Sequence, residues 1–502
     1  MTIEQIYTNC LAQGAYYITS NGEAAIIDPL RETKPYLERL ERDNVKLKYI
    51  FETHFHADFV SGHLDLSQKT NATVVFGPDA NFDFDVTFDK NFGTKLPVIS
   101  AKDNQIFEIG HIKIKVLHTP GHTLESSCFL LIDENGKENA LFSGDTLFIG
   151  DVGRPDLAQK SATMTQEQLA AILYHSLRTK IMVLPDDVLV YPAHGAGSAC
   201  GKNMSKETFS TIGVQKQLNY ALRSNMTENE FVEEVTDGLL PPPAYFGMNV
   251  QMNKNGYKSF DTVLHNGMKA IELAQFEIIA EANNALILDT RSSGDFALGF
   301  IPQAINIGIN GDFAPWVGAM IADVKQAIIL VTEIGKEEET ITRLTRVGFD
   351  NILGYLKGGF ETWKNGNKEI DKIHRITAWE FNDAYYVELL SEQHSTNEGD
   401  FGIAFRKMSK IIDVRKMGEY EAEHVEEAYS RPLANINDWI KDINPNEHFY
   451  LHCAGGYRSM IAASILQARG YRNFTEIEGG FNAIAKTTIP KSNFVCQSKV
   501  AP

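Results

Sequence analysis

YIFETHFHADF, residues 49–59, runs from a short apolar stretch straight into two histidines and an aspartate at spacing two. YIFE reads as a strand, and Thr53–Phe59 as the loop leading from it towards a helix. On such a loop His54, His56 and Asp58 converge on one side. Imidazole nitrogen with carboxylate oxygen suits divalent zinc, iron or manganese, and the absence of sulfur in the run disfavours soft-metal sites. The same pattern recurs further along. His122 lies in HTPGHT (118–123), Asp145 in LFSGDT (141–146) and His194 in YPAHG (191–195), each after a strand-like run. Any one of these histidines alone reads as structural, but four such motifs in this order predict a metal site at strand ends.

The rest of the chain bounds the function. At 502 residues it predicts about three domains, and 43% apolar with 22% charged residues is ordinary for a globular protein. No run approaches the apolar length of a membrane span, and the first segment does not read as a signal peptide, so the expected compartment is cytoplasmic. A net charge of −18 argues against nucleic acid or an anionic membrane as partner, while leaving room for a small anionic substrate. Five cysteines (Cys10, Cys128, Cys200, Cys453 and Cys496) without a CxxC make neither a disulfide framework nor a thiolate zinc site.

Three consecutive prolines in TDGLLPPPAYFGMN (236–249) read as a boundary outside regular helix or strand. Beyond it lies an internal repeat. ALILDTR (285–291), AIILVTE (327–333) and GFDNILGYLKGGF (348–360) recur as KIIDVR (410–415), HFYLHCAGGYRS (448–459) and GYRNFTEIEGGF (470–481). The expected organisation is a domain at 1–240, a linker at 241–264, a module at 265–370, a second module at 374–490 and a tail at 491–502. Only the second module has a cysteine in the loop after its central strand; the first has TEIGKEEE there.

That cysteine loop carries a mechanism in its composition. Cys453-Ala454-Gly455-Gly456-Tyr457-Arg458-Ser459 follows the strand-like HFYLH and opens a helical run. The two glycines let several N–H groups face the sulfur, the helix N-terminus adds positive potential and Arg458 adds a charge. All favour thiolate over thiol and stabilise an anionic persulfide. Ser459 is placed to contribute a hydroxyl at the helix start. Cys10, Cys128 and Cys496 lack such surroundings and are expected to be inert.

Residues 1–240 resemble the metallo-β-lactamase superfamily, whose signature is HxHxDH followed by distant His, Asp and His ligands. The Cys453 loop, with its DVR, EHV and GGF landmarks, resembles the rhodanese active site, and residues 265–370 resemble a rhodanese module without its nucleophile. The implied fold is α/β multidomain: a metallo-β-lactamase αββα sandwich followed by two rhodanese-like α/β domains. Phe59 stands where the last histidine of HxHxDH belongs, so the resemblance implies a mononuclear centre of the persulfide dioxygenase branch. It carries one Fe(II) over to His54, His122 and Asp145. His56, Asp58, Arg154, His194 and Cys200 are then expected around the ligands and substrate, with Asp156 shaping the pocket, and His63 as a packing or surface residue. Cys200 further resembles the extra thiol of dioxygenase–rhodanese fusions and is a candidate sulfur relay. Cys453 and Arg458 would be catalytic, with Ala454, Gly455, Gly456 and Tyr457 forming the substrate-holding loop. The implied partners are a low-molecular-weight persulfide, O2 and sulfite, in a homo-oligomer. The alternatives are a dinuclear glyoxalase II-like thioesterase fused to a rhodanese, and a non-catalytic sulfur carrier or sensor.

Overall fold

Successive residues of the strand Gln13–Ser20 enter different cores: Ala15 and Tyr17 pack into one, Tyr16 and Ile18 into another. On the strand Ser127–Ile132, Phe129 and Leu131 share the core of Tyr16, while Leu130 joins a third. This is the period-two alternation of strands buried on both faces, which is why residues 15–18 and 128–132 run apolar without a break. The computed structural model describes residues 1–82, 96–157, 163–202, 204–239, 241–394 and 408–495.

The first sheet has six strands in sequence order, from Thr2–Thr8 to Val98–Ser100. The second has six in the reverse sense, from Ser210–Thr211 through Glu138–Gly144 to Ile106–Ile109. Phe51, Val75, Phe129 and Phe142 belong to the core shared by both sheets. The outer face of the first sheet packs with Tyr36 and Leu40 of the helix Lys34–Asp43. That of the second packs with Ala170 and Leu173 of the helix Gln166–Ser176. The αββα sandwich follows. The strands Lys46–Glu52, Glu138–Gly144 and Leu189–Pro192 end immediately before the histidine- and aspartate-bearing turns.

The chain divides into two compact units, the first comprising Met1–His265 with Ala314–Lys325 and Thr342–Asp350. The stretch 241–264, expected as a linker, instead carries the helix Phe246–Asn255 and the start of the helix Phe260–Gly267. The three prolines bar helix only up to their own positions, so a helix can begin three residues after Pro243. Within this first unit, residues borrowed from the middle of the chain are tied in by charge. Arg31, with no side-chain exposure, donates to Asp350 Oδ1 and Oδ2 at 2.6 and 2.7 Å and to the Thr345 carbonyl at 3.0 Å. Arg346 pairs with Glu32, and its carbonyl accepts from Val60 N at 2.7 Å. Removing one partner of a buried pair strands the other charge. Asp350→Asn is therefore expected to cost about 3 kcal/mol, measured as a lower denaturation midpoint of this unit.

The second unit contains two five-stranded parallel sheets of identical strand order. One runs Ala270–Ile271, Ile352–Leu356, Ile328–Val331, Leu286–Asp289, Ile305–Asn306; the other runs Arg375–Ile376, Phe474–Ile477, Phe449–His452, Lys410–Asp413, Tyr429–Ser430. The repeated Asp-x-Arg does the same work in both. Arg291 pairs with Asp289, bonds the Gly299 carbonyl and lies 4.0 Å over Phe360. Arg415 pairs with Asp413, bonds the Glu423 carbonyl and lies 4.1 Å over Phe481. No helix among the described residues is long and apolar enough to cross a membrane.

Candidate metal centre and cysteine loop

Gly144 ends its strand at φ +53, and a Cβ there would meet Thr53 at 2.6 Å, so only glycine lets the two ligand-bearing turns close together. Across that contact His54, His122 and Asp145, all buried, bring one donor atom each within 4.8 Å of one another. Asp145 Oδ2 stands 3.8 Å from His54 Nε2 and 3.5 Å from His122 Nε2.

The other ring nitrogens fix the tautomers. His122 Nδ1 lies 2.8 Å from the Arg154 carbonyl, which can only accept, so Nδ1 carries the proton. Thr53 Oγ1 donates to Asp28 Oδ2 at 2.9 Å and lies 3.0 Å from His54 Nδ1, so it accepts from that nitrogen. Both Nε2 atoms thus present lone pairs towards Asp145 Oδ2, which is itself buried and has no hydrogen-bond partner among the described residues. Three converging lone pairs repel unless a cation lies among them, and two neutral imidazoles with one carboxylate fit a divalent metal.

Asp145 faces two ways. Its Oδ1 accepts from His194 Nδ1 at 2.7 Å, and His194 Nε2 lies 2.7 Å from Asp58 Oδ2. Burial works against charge on His194, but the two carboxylates outweigh it and hold the imidazole well above its ordinary range. Asp58, His194 and Cys200 form a second group of donors within 4.8 Å. Burial, then Asp145 and Asp58, push the Cys200 thiol well up, so it rests as a neutral thiol. His56 departs from the first set. Its Nε2 lies 3.1 Å from Asp28 and 3.6 Å from Glu52, and its ring stacks on Phe59 at 4.2 Å. Phe59 thus covers one face of His56 with an apolar wall.

Several residues that carry no motif hold this loop. Asn253 donates to the carbonyls of His56 and Phe59, both at 2.8 Å, and accepts from Ser61 N at 2.9 Å. Tyr257 donates to the Ser61 carbonyl. Tyr245 is buried; burial, then Asp58 and Cys200, raise its phenol well above the ordinary range. A Cβ on Gly318 would meet its ring at 2.4 Å. Arg154 contributes its carbonyl to His122, while its side chain pairs with Asp156 at 2.6 and 2.7 Å. His63 is fully buried, 3.5 Å from Glu52. Only local spacing marks a residue in a sequence, and these partners lie up to some 200 positions away.

At Cys453 the backbone is bent by its neighbours. Phe481 N and Asn482 N donate to the carbonyls of Cys453 and Ala454 at 2.6 and 2.9 Å, drawing them away from the sulfur. Gly480 permits this, since a Cβ there would lie 2.3 Å from the Cys453 oxygen. The loop passes through Gly455 to Gly456, at φ +100, whose N–H donates to Sγ at 3.1 Å. Ser459 Oγ lies 3.4 Å from the same sulfur. Arg458 is not free to serve the sulfur alone; it is held by Glu419 at 2.5 and 2.8 Å. Tyr457 donates to the Gly308 carbonyl at 2.7 Å. In the earlier module, strand register places Thr332 where Cys453 stands. Cys10 is partly exposed beside Arg346, and burial pushes Cys128 up to about 11. Cys496 lies outside the described residues.

Comparison with known proteins agrees with this anatomy. The metallo-beta-lactamase superfamily model matches residues 9–194, and the rhodanese-like domain model matches 272–366 and 402–487. A hydroxyacylglutathione hydrolase of Tolumonas auensis is 33% identical over 238 residues, covering 42% of this chain and 82% of the relative. The human mitochondrial persulfide dioxygenase ETHE1 is 29% identical over 233 residues, covering 46% and 78%. A crystal structure of a metallo-beta-lactamase from Staphylococcus aureus superposes with a TM-score of 0.60 at 32% identity, covering 71% of this chain and 99% of that one. This chain belongs to the metallo-β-lactamase superfamily, with rhodanese-like domains after its metal-binding sandwich.

Proposed function

We propose that the chain is a persulfide dioxygenase coupled to a sulfurtransferase. It oxidises a low-molecular-weight persulfide to sulfite in the first domain and converts sulfite plus persulfide sulfur to thiosulfate at Cys453. The observation that carries this reading is Phe59. It stands where the resemblance puts the last histidine of HxHxDH, stacked on His56, while His54, His122 and Asp145 converge on an unpartnered carboxylate oxygen. A ferrous ion held there by two imidazoles and a carboxylate would supply open positions for a thiolate-type substrate and O2.

The chain's own residues do the rest. Thr53 Oγ1 and Arg154 O keep the His54 and His122 tautomers fixed, respectively. His194, held between Asp58 and Asp145, fixes both carboxylates beside the site. At the cysteine loop the Cys453 thiolate attacks the sulfane sulfur of a persulfide R–S–SH. A new S–S bond forms, the S–S bond of the persulfide breaks and RS⁻ leaves. Sulfite then attacks the outer sulfur, and Cys453 leaves as thiolate, received by the Gly456 N–H. Covalent linkage keeps the sulfite produced at a raised effective concentration for the second step.

A second reading has a specific observation in its favour. The hydroxyacylglutathione hydrolase likeness, with Asp58, His194 and Cys200 as a further donor group, suits a two-metal thioesterase. One experiment separates the two. Protein purified without oxygen is assayed for metal content, for O2 uptake with glutathione persulfide, and for hydrolysis of an S-acylglutathione. The dioxygenase reading expects about one iron per chain and O2 uptake with sulfite or thiosulfate as product. Thioester hydrolysis without O2 uptake would establish the hydrolase instead.

A further inference from the structure

The loop residue Ser459 lies between Cys453 and a buried carboxyl group that no motif marks. Its Oγ is 2.6 Å from Glu476 Oε1 and 3.4 Å from Cys453 Sγ. Ser459 and Glu476 have no exposure, and Cys453 has 1%. Glu476 Oε2 is anchored by Arg375 Nε at 2.7 Å. A hydroxyl has a single proton to donate, so it serves either the carboxylate or the sulfur. When Ser459 donates to ionised Glu476, its oxygen is left to accept from a Cys453 S–H. When Ser459 donates to a Cys453 thiolate, Glu476 must carry a proton to satisfy the hydroxyl oxygen.

We propose that Glu476 is the proton acceptor for Cys453, reached through the Ser459 hydroxyl, so that the thiolate forms by internal transfer. This rests on the reading of Cys453 as the sulfur-carrying nucleophile. The step balances without a co-reactant. The Cys453 S–H bond breaks and its proton moves to Ser459 Oγ, while the Ser459 proton moves to Glu476 Oε1, leaving a thiolate and a carboxylic acid at unchanged total charge. The protonated Glu476 then keeps Ser459 turned towards the sulfur, ready to receive the Cys453 thiolate when thiosulfate departs. Burial raises the affinity of Glu476 for a proton, with Arg375 and Ser459 opposing in part.

The other charges about the relay are mostly paired. Arg375 also faces Glu478 at 3.6 Å. On the cysteine side stand the Arg458–Glu419 and Arg415–Asp413 pairs, with His452 buried 4.0 Å from Asp413. His374 and His448 are both engaged by the Thr475 hydroxyl.

The test follows alkylation of Cys453 by iodoacetamide in the full chain as a function of pH, read on its peptide by mass spectrometry. The unmodified protein is expected to rise in two steps with a plateau between them, because the pair shares one proton there. Ser459→Ala, which leaves Arg375–Glu476 intact, should collapse this to one step and lower the rate at the pH of the former plateau about tenfold, as for a lost hydrogen bond to a charged group. Ser459→Thr should restore both steps, and Glu476→Gln should again give one. A Ser459→Ala protein that keeps the two-step profile would mean that Glu476 merely partners Arg375, and would overturn the relay even if Glu476→Gln fails to fold. A two-step profile in a protein that moves no sulfur from glutathione persulfide to sulfite upholds the relay and refutes only the sulfurtransferase reading.

Discussion

With glutathione persulfide and O2, the Cys453→Ser protein is expected to accumulate sulfite, with thiosulfate formed no faster than in buffer. The substitution changes one atom and keeps the volume, so the loop, pinned by Phe481 N and Asn482 N, should persist. What is lost is the nucleophile. An alcohol is a far weaker acid than a thiol, and an alkoxide is a poor acceptor of sulfane sulfur. Loss of an enzyme's covalent nucleophile costs orders of magnitude, so thiosulfate production should fall about 10³-fold or more. Oxygen uptake should be unchanged, because Cys453 and the His54–His122–Asp145 set lie in different compact units. Product analysis by thiol-derivatised chromatography checks both parts. Thiosulfate made at the original rate would remove Cys453 from the pathway.

Asp145→Asn should have an effect of similar size on the other half of the chemistry. The amide is nearly isosteric, but it removes the negative charge that faces two imidazole lone pairs and holds His194 through Oδ1. Burial opposes charge on Asp145, yet His194 keeps its carboxyl well below the ordinary range, so it is an anion. Loss of an outer hydrogen-bond partner alone weakens metal sites 10–100-fold, so loss of this ligand should exceed about 100-fold in metal retention. Metal content after dialysis and O2 uptake should fall together. Transfer of sulfur from glutathione persulfide to added sulfite should continue, since the Cys453 loop is untouched. Full metal retention by Asp145→Asn would exclude Asp145 as a ligand.

Three parts of this protein were legible in its sequence, for one shared reason. The histidine and aspartate turns, the Cys453 loop and the repeat are each encoded by residues close in the chain. Their chemistry follows from strand ends and glycine-permitted turns that neighbouring residues dictate. The landmark GGF is one case: Gly480 is needed because the Cys453 oxygen passes where a Cβ would be. The departures were decided by distant contacts. His56, expected around the ligands, lies ring to ring with His54 at 4.2 Å, and Asp28, more distant in the chain, takes its Nε2 at 3.1 Å. Arg458 is taken up by Glu419, and the supposed linker supplies Asn253 and Tyr257 to the metal loop. Ser459 was placed by sequence near the sulfur, but Glu476 behind it was not. A hydrogen bond between two buried groups is set by where the folded backbones bring them, and it imposes no period or spacing on the chain. Local order therefore determined which chemistry this protein carries, and tertiary packing alone decided which side chains hold, charge and protonate it.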